Sequence, residues 1–591
     1  MILGKNIETG QDFDITPKER ETHMHVMGAS GRGKSKFLEM MIQKDISNGE
    51  GLCLMDPHGS LYNNITKWVE THNLWNKREI ILFDPLEERF SFGFNPLQLS
   101  GSNVASVVDA MIKACATVWG GEDPNKMPLL QKSLTGVFHT LIEKGLSLYE
   151  ALHLIDTADS NIRLYLTHDI EDPTASAIWQ DFNKKSVRDL DNDFLSVKNR
   201  LTKFLRSDII RCILGQIKDT IDFYKIMEEG HILLVNLNPS NKLSLESTRL
   251  LGALIINELY LNSLRRKEDE SRPFYLYVDE AGNYVTEDIP LILEQGRKFG
   301  LHLILSHQHL FQLQRNIGED GFKSVMSGGQ TKVIFGGMDY EDAKIMVDNV
   351  FAATGQINMQ EWKLDLTRPT VVGYERTTFK NYSASHSHSS GNSRSSSRGM
   401  ASVRSRGASQ TFNPDGLILT GATSVESANE SFSEGSGDFN GVSDSDSEGY
   451  SEGLEPIMEQ LSIKEYNLQE QKERAIALMV QQSVQHAIMK LPSKKSQFVK
   501  IPDGETPWAS DERIKKSKEK KYISTEYIKA RHVIEQEIID RQKLLQHEAA
   551  KFIELHKTHQ SIIYVNPAGT AEEQLEKKET FREKRVKHKK I

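Results

Sequence analysis

Cysteine is scarce: the 591-residue chain has 3, Cys53, Cys115 and Cys212. They lie far apart and show no CxxC or Cys/His ligand spacing. A disulfide framework and a structural zinc site are therefore disfavoured, and a reducing cytoplasm is the expected compartment. Long apolar runs are missing as well. No stretch of about 18 apolar residues occurs, and the opening Met-Ile-Leu-Gly-Lys is not a secretory signal. That weighs against a secreted protein, a single-pass anchor and a multi-spanning subunit. Basic excess is absent: Lys and Arg number 73 against 82 Asp and Glu, a net charge of -9. That argues against a uniformly basic nucleic-acid coat, although a local basic surface can still hide in an acidic total. Hydrophobic residues reach only 38%, low for one globule of this length, so part of the chain is expected to stay solvated.

What is present changes character along the chain. Short apolar runs ending at polar turns (His23-Met-His-Val-Met, Gly51-Leu-Cys-Leu-Met-Asp, Glu79-Ile-Ile-Leu-Phe-Asp) read as buried parallel strands. Strands return at His231, Phe274, His302 and Thr331, which predicts an α/β fold with a mainly parallel sheet. The first part of this domain spans 1–102 and the second 230–380. Between them, 103–229 keeps a 3.6-residue period and reads as an inserted all-α subdomain. Residues 381–455 are Ser/Gly-rich and read as a disordered linker, because they cannot bury enough apolar surface to offset ordering entropy. Residues 456–505 read as a helix plus a β-hairpin that packs back on the first domain. Residues 506–591 form a charged, exposed helical tail ending in Arg582-Glu-Lys-Arg-Val-Lys-His-Lys-Lys.

The strongest motif is Gly28-Ala29-Ser30-Gly31-Arg32-Gly33-Lys34-Ser35. It fits G-x-x-x-x-G-K-[ST] at every fixed position, with an apolar strand before and a helix after. Glycines let backbone N–H groups wrap phosphates at a helix N-terminus. Lys34 can reach the terminal phosphates, and the Ser35 hydroxyl can ligate Mg²⁺, so ATP and Mg²⁺ are the expected cofactors. A second apolar strand ends in Asp279-Glu280. Asp279 suits the Mg²⁺ shell, and Glu280 suits polarisation of the attacking water. A third strand ends in Ser306-His-Gln308, whose amide can sense the terminal phosphate. Upstream, Arg297 is a candidate for stabilising transition-state charge on a neighbouring subunit's nucleotide, with a structural or DNA-facing role as the alternative. Asp56-Pro-His58-Gly59 places an acid and an imidazole at the same sheet edge as the loop. For His58, a simple turn position is an equal alternative.

Taken together, these residues resemble the HerA-like branch of P-loop ATPases, and most of all the type IV secretion coupling proteins, the TraG/TraD group. The matching parts are GASGRGKS, DPHG, Phe94-Asn-Pro-Leu, Ile232-Leu-Leu-Val-Asn-Leu, Tyr277-Val-Asp-Glu, EQGRKFGLHLILSHQ and Val372-Gly-Tyr-Glu. The resemblance covers about residues 1–378. It implies a RecA-like motor domain, a helical insert after the third strand, a homo-hexameric ring with ATP sites between subunits, and DNA moved through its channel. Many of these proteins begin with a membrane anchor, whereas this chain reaches its first strand at His23. A cytoplasmic protein without the anchor is therefore expected, reaching the inner face of the membrane only through a partner. Ser60 stands where the resemblance implies Glu after DPHG. DNA contacts are expected to be made to the backbone, with candidates Lys198, Arg200, Lys203 and Arg206 and the basic tail. The protein partner would belong to a DNA-transfer system or, alternatively, to a nuclease or phage-defence system. A second alternative is a P-loop scaffold that does not move DNA.

Overall fold

The computed structural model describes residues 1–99, 101, 103–119, 127–218, 220–284, 289–351, 370–389, 399–412, 418–431, 441–459, 468–492, 494–525 and 528–565. The chain divides into two units, Met1–Val350 with Ile476–Ile591, and Phe351–Ala475.

The first unit is organised by strands β1 (Ile2–Asn6), β2 (Asp12–Asp14), β3 (Met24–Met27), β4 (Gly51–Asp56), β5 (Ile80–Phe83), β6 (Phe90–Phe92), β7 (Ile232–Asn236), β8 (Phe274–Val278), β9 (Leu301–His307) and β10 (Thr331–Phe335). The apolar runs read as buried strands fold as β3, β4, β5, β7, β8, β9 and β10. All seven run parallel, in the spatial order β10-β3-β9-β8-β4-β7-β5. Helices cover both faces, so every residue of β4, β7, β8 and β9 is buried. Val26, Leu52, Leu54, Leu234, Tyr277 and Val333 of the sheet share one core with Phe37, Leu38 and Met41 of the helix that follows β3. This is the RecA-like P-loop architecture.

The second unit contains β11 (Thr370–Ser389), β12 (Gly399–Phe412), β13 (Ile418–Ser431) and β14 (Gly441–Glu459). β11 pairs antiparallel with β14, and β12 with β13. The Ser/Gly-rich stretch, read from composition as disordered, is thus in part paired strand. Composition weighs side-chain burial, whereas a ladder closes on backbone N–H and C=O groups, which Ser, Thr and Gly carry like other residues. The helix expected within 456–505 is Leu468–Gln481 among the described residues, and β14 takes the start of that range to Glu459.

Beyond it, the expected hairpin is β15 (His486–Lys490) and β16 (Gln497–Lys500). β15 adds antiparallel to β10, followed by β16, β1 and β2, which completes an 11-stranded sheet. Hence the chain's return builds the flank next to β3.

The helical block lies between β6 and β7, in helices from Val104–Val118 to Phe223–Glu229. Asn103, Asp172, Ser186 and Asp222 each accept a backbone N–H in the first turn of a helix, contacts worth about 1 kcal/mol each. Trp179, Phe182 and Phe194 meet at steep ring angles, largely edge-to-face, at its centre, with Trp179 Nε1 donating to Thr140 Oγ1 at 2.7 Å. Asn95, buried after β6, donates to Ile217 O at 2.7 Å and ties the sheet's exit loop to this block.

The tail is helical but not freely exposed. Helix Asp511–Ser524 runs along helix Ser60–Thr71, with Tyr522 buried and Lys518 lying 4.5 Å from the Tyr62 ring centre. β17 (Ile528–Ala530) then pairs with β6. Helix Arg531–Val565 docks on the helical block through Ile534 and Ile538 against Cys212, and through Arg541 on the buried Glu150. Apolar residues this sparse among charges give little periodicity, so the docked face does not stand out in sequence. The terminal basic run 582–590 lies outside the described residues.

Candidate functional site

The loop Gly28–Gly33 joins β3 to helix Lys34–Ser47. Its form depends on glycine. Gly28 has φ 145°, and a Cβ there would lie 2.6 Å from Phe335 Cβ and 3.0 Å from Phe335 O. Gly33 caps the helix at φ 116° and packs against the backbone of Gln485. Such positions exclude side chains and leave the first N–H groups of the helix facing outward, where its dipole favours anions. Lys34 is buried, and its Nζ donates to Gly28 O at 2.6 Å and Ala29 O at 3.1 Å. Burial lowers its pKa, while Glu280 and Asp279 oppose that shift. Ser35 is exposed at the first turn of the helix, as is Ser30 on the loop.

β9 lies directly beside β3, and β8 lies beside β9. Parallel strands end at one edge, so Gln308 after β9 and Asp279-Glu280 after β8 face the loop within about 5–10 Å of strand spacing. Burial, the adjacent Glu280 and nearby Asp56 raise the Asp279 carboxyl to about 6; the Ser306 hydroxyl and Lys34 pull the other way. Gln308 Nε2 donates to Glu280 Oε1. Glu280 itself is left-handed, at φ 49° and ψ 50°, a conformation that costs a non-glycine residue about 1–2 kcal/mol. The turn Ala281–Asn283 follows, with Asn283 N bonded back to Glu280 O at 2.9 Å. Local strain therefore holds a carboxylate at the sheet edge beside the amide.

Other expected residues sit further out or point elsewhere. Asp56 is buried, and its two oxygens accept the N–H groups of His58 and Tyr62, both at 2.8 Å. It thus shapes the turn into the next helix, and its charge is felt at Asp279. β4 is three strands from β3, roughly 14 Å, and His58 is exposed there. Arg297 lies in the turn Gly296–Phe299 before β9, at the opposite end of that strand from Gln308. It is exposed, 4.0 Å from Glu21, and does not join its own chain's loop.

Several participants escaped the motif reading. Ser306 was legible only as a polar residue inside an apolar strand. Tyr284 is buried within the field of Asp56, Asp279 and Glu280, which along with burial raises its phenol. Arg249, from helix Leu245–Ser263, donates to Asn283 Oδ1 at 2.9 Å and braces the turn after Glu280. Asp342 accepts Leu310 N at 3.0 Å and caps the helix after Gln308, with His309 and Asp339 beside it.

Residues 273–353, which take in β8, β9, Gln308 and β10, match the family described as "TraM recognition site of TraD and TraG". An uncharacterized protein of Mycoplasma pneumoniae is 32% identical over 88 residues, 15% of this chain; the match spans 58% of that relative's length. Among solved structures, the bacterial conjugative coupling protein TrwBΔN70 is 13% identical, with 86% of this chain and 90% of that chain covered at TM-score 0.45. TrwB with a non-hydrolysable ATP analogue is 18% identical over 56% of this chain and 75% of its own, TM-score 0.42. VirB4 of Thermoanaerobacter pseudethanolicus is 12% identical over 59% and 87%, TM-score 0.40. The stretch that matches the family carries Asp279, Glu280, Arg297 and Gln308; the phosphate loop lies outside it. No helix among the described residues is long and apolar enough to cross a membrane.

Proposed function

We propose that the chain is a TraG/TraD-type ATPase that hydrolyses ATP to move DNA, acting as a homo-hexamer within a DNA-transfer machine. One arrangement carries this reading: Asp279 and Glu280 end a strand separated from the phosphate-loop strand only by the strand that ends in Gln308. In it, backbone N–H groups of the loop and Lys34 hold the phosphates. Ser35 and Asp279 would hold Mg²⁺; one is a hydroxyl at the helix start and the other a buried carboxyl whose raised pKa a bound cation would reverse. When bound, the ion neutralises developing phosphate charge. Glu280 orients and deprotonates water, and Gln308, bonded to it, links its position to the phosphate state. Arg297 acts on the nucleotide of an adjacent subunit.

The DNA role is supported by a groove at the same sheet edge. Helix Val187–Leu205 and the loop after β7 line it with Lys198, Lys203, Arg206 and Lys242, alongside Asn199, Thr202 and Asn241. Asp191 also lines it, and Lys198, Lys203 and Lys242 are ion-paired with Asp156, Glu246 and Glu88, so backbone phosphates would bind there by exchanging with those carboxylates, without base reading. Arg200 turns away from it, toward the Trp119 ring and Met127.

The test is steady-state ATP hydrolysis by the full chain, alone and with single-stranded or duplex DNA at low salt. Stimulation that falls steeply with salt is the expected result. Basal hydrolysis indifferent to both DNAs would favour a scaffold ATPase instead. Co-purification with a nuclease rather than with transfer components would place the same motor in a defence system.

A further inference from the structure

The acids and the sensor amide all lie on one side of the phosphate loop. β9 and β8 bring Gln308, Asp279 and Glu280 to that side. If the loop holds a nucleoside triphosphate as proposed above, the terminal phosphate points there. The ribose and base must then leave over the opposite flank, where β10 and β15 lie.

That flank is built. The turn between helix Leu468–Gln481 and β15 lies against the loop itself. Gln485 N donates to Arg32 O at 3.0 Å, and Arg32 Nη1 donates to Gln482 O at 3.4 Å. Gln485 is left-handed, at φ 61°, and is held by a second bond from Ile501 N to its carbonyl at 2.8 Å. Strain of this kind persists only where the surroundings over-determine it. Gly337 passes under the Arg32 side chain so closely that a Cβ there would lie 2.8 Å from Nε. The guanidinium is thus fixed but still partly exposed. Between Gln482 and Gln485, the two residues bonded to Arg32, Val484 presents an apolar side chain that is 55% exposed. A fixed planar cation and an exposed aliphatic group on the turn bonded to it fit a flat, apolar, π-rich ligand.

We propose that Arg32 and Val484 form the nucleoside subsite of the nucleotide site, contacting the purine of the bound triphosphate. The segment that returns after the long insertion therefore supplies part of the ligand's binding surface. This rests on the phosphate-loop reading, and the experiment separates the two.

Calorimetric titration of the full chain with Mg²⁺ and either ATP or inorganic tripolyphosphate isolates the nucleoside contribution. The native chain should bind ATP at least about tenfold more tightly than tripolyphosphate. Val484→Asp and Arg32→Ala should each weaken ATP binding by about three- to tenfold and leave tripolyphosphate within about twofold. Val484→Leu should keep ATP affinity. Both positions are at the surface, and matching thermal unfolding midpoints would confirm intact folds. Unchanged ATP affinity in Val484→Asp and Arg32→Ala would overturn the subsite, as would equal native affinity for ATP and tripolyphosphate. Equal weakening of both ligands by Arg32→Ala would place Arg32 on the phosphates and remove it from the subsite. Failure of the native chain to bind either ligand would refute the phosphate-loop reading itself.

Discussion

Glu280→Gln tests the proposed chemistry with the least disturbance of shape. The introduced amide is isosteric with the carboxylate, and its oxygen can still accept from Gln308 Nε2. The left-handed backbone is equally tolerable to both residues, neither being β-branched. Fold and nucleotide binding should therefore survive. Binding should hold or tighten, because one negative charge facing the terminal phosphate is removed. Loss of a positioned base costs about 10²–10⁴ in rate, a barrier increase of about 3–5 kcal/mol. The assays are phosphate release at saturating ATP, ATP affinity by titration, and assembly state by sedimentation. We expect release to fall at least about 100-fold, affinity to stay within about threefold or improve, and ATP to trap an assembled ring. Gln308→Ala, which frees Glu280 without removing it, should cost less, about tenfold. Release by Glu280→Gln within about threefold of native would refute the assigned role. Joint loss of release and binding would show instead that Glu280 acts by shaping the loop.

Three further outcomes follow from the packing. Gly28→Ala should cost roughly 2–4 kcal/mol and abolish ATP binding, since its Cβ would meet Phe335 at 2.6 Å where neither backbone can yield; unchanged thermal unfolding would contradict the close approach. Arg541→Met leaves the fully buried Glu150 with only Ser147 and Gln542 as donors; it should loosen helix Arg531–Val565 by about 2–3 kcal/mol, read as faster amide exchange along that helix, and unchanged protection would sink the docking account. Burial holds His23 and His307 at about 4 and His302 at about 3, and with Lys332, His307 and His23 nearby it holds His25 well below its ordinary value. Unfolded imidazoles take up protons below about 6.5 while the folded ones do not, so this stability is present above about pH 6.5 and lost as pH falls toward about 4. The unfolding midpoint should drop across that window, and His25→Leu should flatten the drop; parallel curves for the two proteins would refute it.

How much of this was legible in sequence follows from where each signal is stored. The phosphate loop, Asp279, Glu280 and Gln308 are local: each is a polar residue that ends an apolar run, and strand direction alone assigns them to one edge. The hairpin at His486–Lys490 and Gln497–Lys500 was legible for the same reason. Its neighbour was not, since β10 and β15 are brought together only by tertiary pairing. Gln482 and Gln485 therefore touch the loop through contacts with no sequence pattern. Arg249 reaches Asn283 from the second turn of a helix, where a charged residue ordinarily marks a solvated face. The docked tail hid behind its charge, because its buried pair Arg541–Glu150 joins two segments far apart in the chain.

Arg297 shows what strand polarity adds once a sheet is known. It precedes β9 and Gln308 follows it, so the seven residues of that strand stand between them, roughly 23 Å of extended chain. All the parallel strands deliver their C-terminal ends to the nucleotide edge, and Arg297 sits at the other. It therefore has no route to its own chain's phosphates through side-chain motion, since an extended arginine spans only about a third of that distance. In one protomer its ion-pair neighbour is Glu21 at 4.0 Å, and its charge is felt at buried His23. A charge-stabilising role for Arg297 thus requires that a second copy present its nucleotide edge to this one's opposite edge, a head-to-tail contact that closes into a ring rather than a two-fold pair. The arginine's catalytic role thus depends on the ring: evidence against the ring counts against that role, whereas loss of the role would leave the ring standing.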